Sequence, residues 1–373
     1  MRSTLRGLAV SLVIAIAAGL GAATITAAPE GAASREAKLQ QALDRVVAAG
    51  SPGVIALVRD GDRTIRLTSG YGNLKTKSRI RATDRFRVGS VTKSFVATVV
   101  LQLVAEGKLS LDDTVERWLP GLVPNGSAIT VHQLLNMSSG LYDYLSDPSV
   151  FAPYLRGNFA YVWSPRRLVE IAVSHEPLFA PGAGWRYCNT CYVALGLIVE
   201  KATGNSLETE LRRRIFAPLR LTATSFPAKP RLVEPHARGY ELLGKPPLVD
   251  VSDLSPTWGW AAGAIVSTAD DIARFYRTLL GGRLLRPDLL RAMETRVAGS
   301  GGTYGLGLYT LEVPCGTTWG HDGGTAGYRT LAFNSKDGQR QVVLLANAGE
   351  DTLPRRAHAA LSAALATAFC DRG

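Results

Sequence analysis

Ser90 and Lys93 stand three residues apart in "GSVTKSF", at the head of the apolar run "SVTKSFVATVVLQLVAEG". On a helix that spacing puts both side chains on one face. A helix N-terminus carries partial positive charge, which favours an alkoxide there. A lysine held beside a serine in a partly desolvated site has its pKa lowered towards the range where it can take the hydroxyl proton. An isolated Ser-x-x-Lys arises by chance in many chains, so its placement matters more than its letters. A helix buried on most sides has little reason to carry Lys93 one turn in, because an unpaired buried ammonium is costly. The chemistry on offer is nucleophilic acyl transfer.

Hydrolases built on Ser-x-x-Lys use two further motifs downstream: Ser- or Tyr-x-Asn, then Lys-Thr-Gly or His-x-Gly. Tyr187-Cys188-Asn189 and His321-Asp322-Gly323 supply them in that order. "YGN" at 71–73 matches the second pattern too, and reads as a strand end. The Tyr187 copy follows "FAPGAGWRY" and opens the helix "YVALGLIVEKATG", so its side chains can project into a cleft. The His321 motif ends the strand candidate "TTWGH" and begins the turn "HDGGTAG". Glycines there let a substrate backbone approach a strand edge closely.

The elements that must hold these motifs are legible as a sandwich of patterns. "REAKLQQALDRVVAAG" has apolar residues at helical spacing and a glycine stop. "GVIALVRDGDRTIRLTSGYGN" reads as two strands around Asp60-Gly61-Asp62. Residues 110–250 are helical and loop-rich. Four strand candidates then follow closely, "YGLGLYTLEV", "TTWGH", "GYRTLAF" and "QVVLLANA", before a last helix from Pro354 to Phe369. A helical middle bracketed by β-rich ends predicts one sheet built from both ends of the chain, with a helical region inserted. The fold class is α/β of the α+β type, an antiparallel sheet flanked by helices plus a mostly helical lobe.

The chain has 373 residues, 46% of them hydrophobic and 20% charged, enough for a sizeable core. Arg2 and Arg6 precede "GLAVSLVIAIAAGLGAA" and small residues to Ala28. That order predicts a signal peptide over 1–28 ahead of a hydrolase domain over 29–373, and a secreted, envelope-associated protein; an uncleaved membrane anchor is the competing reading. The formal net charge of +11 is spread along the chain, densest at "LRRRIF", read as a solvated helix face. No nucleic-acid motif accompanies it, and an anionic cell envelope suits the charge better.

Together these stretches resemble the serine β-lactamase and penicillin-binding superfamily, above all class C β-lactamases and secreted D-alanyl-D-alanine carboxypeptidases of actinomycete type. The likeness extends to "LLNMSSGLYDY", "AAGAIVSTADDIARF", "YGLGL" and "AFC", and so to essentially the whole mature chain. It implies a β-lactamase/transpeptidase-like fold with the site between sheet and helical lobe, no cofactor and no bound metal. Ser90 would be the nucleophile. Lys93 and Tyr187 would share the base work, Tyr187 as a phenolate or through a proton relay. Asn189 would hold the substrate amide, and His321 would stand for the third-motif cation, with Asp322 and Gly323 in the same substrate-binding motif. Backbone N–H groups of Ser90 and Gly324 would form the oxyanion hole. Trp258 matches a pocket-lining position, although a core tryptophan fits the same letters. Cys315 and Cys370 match a disulfide pair of the actinomycete enzymes. Cys188 and Cys191 fit a local disulfide, two free thiols or a metal pair.

The resemblance implies a D-Ala-D-Ala carboxypeptidase first, acting as a monomer on a peptidoglycan peptide or a small amide or ester, with β-lactam antibiotics as acylating ligands. Esterase and β-lactamase stand behind it. Two departures bear on this: Tyr309 falls near where carboxypeptidases carry an arginine for the terminal carboxylate, and Asp322 and Gly324 replace helpful hydroxyls. Met137 stands where relatives often have histidine. Two readings from other classes compete: a non-catalytic penicillin-recognising or wall-binding protein, and a thiol oxidoreductase using Cys188 and Cys191.

Overall fold

The computed structural model describes residues 30–243 and 246–371. The leader read over 1–28 lies outside the described residues. Seven strands form one antiparallel sheet: β1 (Gly53–Asp60), β2 (Arg63–Asn73), β3 (Ser78–Arg79), β4 (Tyr309–Val313), β5 (Gly316–Thr325), β6 (Tyr328–Asn334) and β7 (Arg340–Ala346). Their order across the sheet is β3-β2-β1-β7-β6-β5-β4, so β1 pairs with β7 and the two ends of the chain meet at its centre. This is the antiparallel sheet from both ends that the pattern predicts.

The near-continuous apolar run of β1 follows from that central position. Val54, Ala56 and Val58 face a core made with α1 (Glu30–Ala48) and α5 (Arg355–Cys370), while Ile55 and Leu57 face the larger core on the other side. A strand alternates faces with period two, so a strand covered on both sides reads as unbroken hydrophobicity. On the second side lie α2 (Thr92–Ala105), α3 (Asn189–Thr203) and α4 (Ala269–Leu280). α2 is buried almost all round, and it packs against α3. Residues 110–250 supply short helices, α3 and, among the described residues, one small strand pair rather than a further sheet layer.

Cys315, in the turn between β4 and β5, is bonded to Cys370 at the end of α5. Two expectations are corrected. "YGLGL" is not part of a strand; β4 begins only at Tyr309. Arg214 in "LRRRIF" is not solvated: its side chain is 8% exposed and ion-paired to Glu106 and Glu210, partners from another helix end and from the preceding turn.

Candidate active site

Ser90 sits in a single 3₁₀ turn, Gly89–Val91, that leads into α2. β4 stops pairing with β5 at Tyr309↔Gly320, which leaves that edge of residues 321–325 free of β4. The turn carrying Ser90 lies against this edge so closely that two glycines are required. Gly89 has φ +55°, and a Cβ there would lie 2.6 Å from the Gly324 carbonyl oxygen; a Cβ on Gly323 would lie 2.0 Å from the Val88 oxygen. The turn carrying Ser90 and the edge of β5 are thus locked together by their missing side chains.

Lys93, the second residue of α2 and one turn on from Ser90, is fully buried. Its Nζ donates to Ser90 Oγ at 2.9 Å, to Asn189 Oδ1 at 2.8 Å and to the Ala262 carbonyl at 2.9 Å. Burial pulls its pKa down to about 7, against the opposing charges of Asp143 and Asp322. The neutral amine keeps two N–H groups and gains a lone pair. Ala262 O can only accept, and so can Asn189 Oδ1, because Asn189 Nδ2 is engaged by Asp143 Oδ2 at 2.8 Å. The lone pair is therefore left facing the Ser90 hydroxyl, where a general base must point.

Tyr187 and Asn189 flank the start of α3. Cys188 caps it, its Sγ accepting from the Cys191 N–H at 3.0 Å. Cys188 and Cys191 are disulfide-bonded to each other and buried, and neither lines the cavity. The alternatives of free thiols and a metal pair are thereby closed. Burial lifts the Tyr187 phenol well above its ordinary pKa, only partly offset by its hydrogen bond with Ser90. Burial thus favours the neutral Tyr187 hydroxyl over the phenolate expected as one option.

The third motif divides by the period of β5. Asp322 and Gly324 face the cavity, whereas His321 and Gly323 point away from it. His321 has no exposed surface and sits among Tyr187, Tyr304 and Tyr309. Its Nδ1 is 2.6 Å from the Asp322 carbonyl oxygen and its Nε2 is 3.2 Å from the Tyr304 hydroxyl, so Nδ1 carries the proton and Nε2 accepts. Burial lowers its pKa to about 4. His321 is thus neither a cation nor on the cavity wall, and Gly323 does not line the cavity either; both substrate-binding expectations are corrected. The cation at the third motif is Arg329, on β6 directly opposite Gly324. It pairs with Asp322 at 2.5 Å and with Glu350 at 3.2 Å. Burial alone would raise the Asp322 pKa, but the Arg329 guanidinium, foremost, outweighs it and holds the carboxyl below its usual range.

These groups surround a cavity of about 350 Å³ whose wall includes Ser90, Tyr187, Asn189, Trp258, Asp322 and Gly324. Trp258 is at once a buried tryptophan and part of this wall. Asp143, Arg329 and Glu350 were missed as site residues in the sequence. Arg329 had a signal: a lone charge within the apolar strand "GYRTLAF" needs a partner. Met137 is buried with φ +65°, and nothing in the structure explains its replacement of histidine.

A family model described as Beta-lactamase matches residues 36–367. A putative penicillin-binding protein, PbpX of Bacillus subtilis, is 31% identical over 300 residues, 80% of this chain and 71% of that one. A D-stereospecific amidohydrolase from Streptomyces sp. superposes with a TM-score of 0.82 at 39% identity, covering 90% of this chain and 99% of that one. The D-amino acid amidase of Ochrobactrum anthropi SV3, complexed with L-phenylalanine amide, superposes with a TM-score of 0.80 at 29% identity, covering 91% and 100%.

Proposed function

The chain belongs to the Beta-lactamase family, and from that premise we propose that it is a serine amidohydrolase acting on small amides whose acyl half is a D-amino acid with a free amine. The observation that carries this is the charge of the cavity. Arg329 is the one Lys or Arg side chain among its described lining residues, and Asp322 and Glu350 both hold it. Two carboxylates around one guanidinium leave the wall net negative, which attracts an ammonium and repels a free terminal carboxylate. The likeness to a D-stereospecific amidohydrolase and a D-amino acid amidase supports the same reading. The D-Ala-D-Ala carboxypeptidase reading needs a free cation for the terminal carboxylate; Tyr309 at the head of β4 supplies none, and Arg329 is held by Asp322 and Glu350.

The reaction proceeds in two acyl transfers. Ser90 Oγ gives its proton to neutral Lys93 and attacks the amide carbon, forming a tetrahedral oxyanion beside the Ser90 and Gly324 N–H groups. The C–N bond breaks as the Tyr187 hydroxyl protonates the leaving nitrogen, and Tyr187 recovers that proton from the Lys93 ammonium. Water then attacks the Ser90 ester, its proton passing to Lys93; as the acyl–oxygen bond breaks, Lys93 returns that proton to Ser90 Oγ, so the acid departs with Ser90 protonated and Lys93 neutral again. β-Lactams, being amides, acylate Ser90 by the same first step. The two disulfides favour action outside the cytoplasm, in line with the leader read over 1–28.

Comparing kcat/KM for D-alanine amide and for an N-acetylated peptide ending in D-Ala-D-Ala tests the reading. The amide is expected to be cleaved at least tenfold more efficiently. Preferential release of D-alanine from the blocked peptide would overturn it in favour of the carboxypeptidase.

A further inference from the structure

Beyond Trp258 the cleft does not end. A second cavity of about 510 Å³, larger than the reaction cavity, shares Leu145, Trp258, Gly324, Thr325 and Glu350 with it. Its inner wall is apolar and ordered: Tyr154, Val251 and Leu254 are buried, and Phe151 packs edge-on against Trp258 with ring centroids 5.2 Å apart. Its rim carries the carboxylates Glu241, Glu350 and Asp351 together with exposed leucines. Leu155 is 69% exposed, Leu243 40% and Leu242 38%. Single exposed leucines are ordinary, but three around one concavity that opens onto a nucleophile mark a surface meant to be covered by a ligand.

One charged group stands where the two cavities join. Glu350 lines both, and its side chain is 54% exposed. A Cβ on Gly324 would lie 2.4 Å from Glu350 Oε2, so the carboxylate leans over the strand edge beside Ser90 into space that a side chain at 324 would occupy. Arg329 reaches Glu350 Oε2 through Nη1 while its Nη2 is spent on Asp322, which leaves Glu350 Oε1 without a partner among the described residues.

We propose, resting on the reading of the chain as a D-aminoacyl amidohydrolase, that this second cavity is the subsite for a bulky apolar side chain of the acyl residue and that Glu350 at the junction takes its α-ammonium. In an aminoacyl group the ammonium and the side chain leave the same carbon, one bond from the carbonyl that Ser90 attacks. Such a substrate needs a carboxylate and an apolar chamber diverging from a point close to the nucleophile, and Glu350 and the chamber beyond Trp258 diverge from that point. Glu350 and Leu155 are specificity-determining residues for the reaction rather than participants in its proton transfers.

Steady-state kinetics on D-phenylalanine amide and D-alanine amide test this. The wild-type chain should prefer the phenylalanine amide by tenfold or more in kcat/KM, the scale on which apolar pockets discriminate side chains. Leu155→Asp should cut that ratio at least tenfold, and Leu243→Asp gives a second, independent variant should the first fold poorly. Glu350→Gln should raise KM for both amides about tenfold with a smaller effect on kcat. A wild-type ratio at or below one, or a ratio unmoved by both leucine variants, overturns the subsite while leaving the amidohydrolase standing. Absence of turnover of either amide overturns both.

Discussion

Asn189 turned over by half a rotation would offer Lys93 a donor in place of an acceptor. Asp143 prevents this: its carboxylate already accepts from the Leu145 N–H at 3.1 Å, and toward Asn189 it must face the NH₂. Asp143 therefore acts through Asn189 on the direction of the Lys93 lone pair, and its charge also raises the Lys93 pKa. With neutral Lys93 as the proposed base, kcat/KM should rise with pH through about 7. Asp143→Asn removes both effects. We expect kcat/KM to fall by about 10- to 100-fold, the scale of a misplaced catalytic group, and the rising limb of the pH profile to move to lower pH. A lower rate with an unmoved limb would make Asp143 merely structural. At this scale the sequence reveals Ser90, Lys93, Tyr187 and Asn189, because each pair lies within one short motif: Ser90 and Lys93 one turn apart, Tyr187 and Asn189 either side of the cap of α3. Asp143, Arg329 and Glu350 come from a loop, a strand and a turn far apart in the chain. Their meaning arises only when the fold brings their charges together.

The start of α3 shows how an element can carry chemistry and decoy chemistry in the same five residues. "YCNTC" places Tyr187 and Asn189 at the site and turns both sulfurs inward, where Cys191 Sγ lies 3.1 Å from Ser139 Oγ. The bridge closes a very short loop, for which the chain-entropy model allows only ~2 kcal/mol, and serine at 188 would still cap the helix. The double variant Cys188→Ser with Cys191→Ser should therefore keep kcat/KM within about tenfold and lower stability by up to ~2 kcal/mol, measured by assay and urea unfolding. Loss of activity by a hundredfold or more would restore a chemical role to the thiols. β5 carries the opposite lesson. Its His-x-Gly letters identify the right strand, but strand alternation gives the cavity Asp322 and Gly324 and buries His321. A motif read linearly cannot say which of its two faces is wet.

For the whole molecule, the bracketed pattern of the sequence was enough to foretell a sheet made from both ends, because strand and helix periods differ and each was long enough to read. What it could not foretell was the second cavity, assembled from residues 145–159, 241–243, 251–258 and 324–351, which no local pattern links. The Cys315–Cys370 bridge ties that sheet to α5, on the face away from Ser90. Its sequence separation of 55 gives a loop-closure term of ~4 kcal/mol. Cys315→Ser with Cys370→Ser should lower unfolding stability by about that amount while leaving kcat/KM within twofold. A matching loss of activity would mean that the two faces of the sheet are coupled.

The central claim is that Ser90 forms an acyl-enzyme with Lys93 as its base. Its most direct test is mass spectrometry of the protein after rapid quenching during turnover of an ester or amide of D-phenylalanine, with peptide mapping, on the wild type and on Ser90→Ala and Lys93→Met. The account predicts an aminoacyl adduct on the peptide containing Ser90, absent from Ser90→Ala, and formed orders of magnitude more slowly in Lys93→Met. Turnover that survives Ser90→Ala, or an adduct on any other residue, would contradict it.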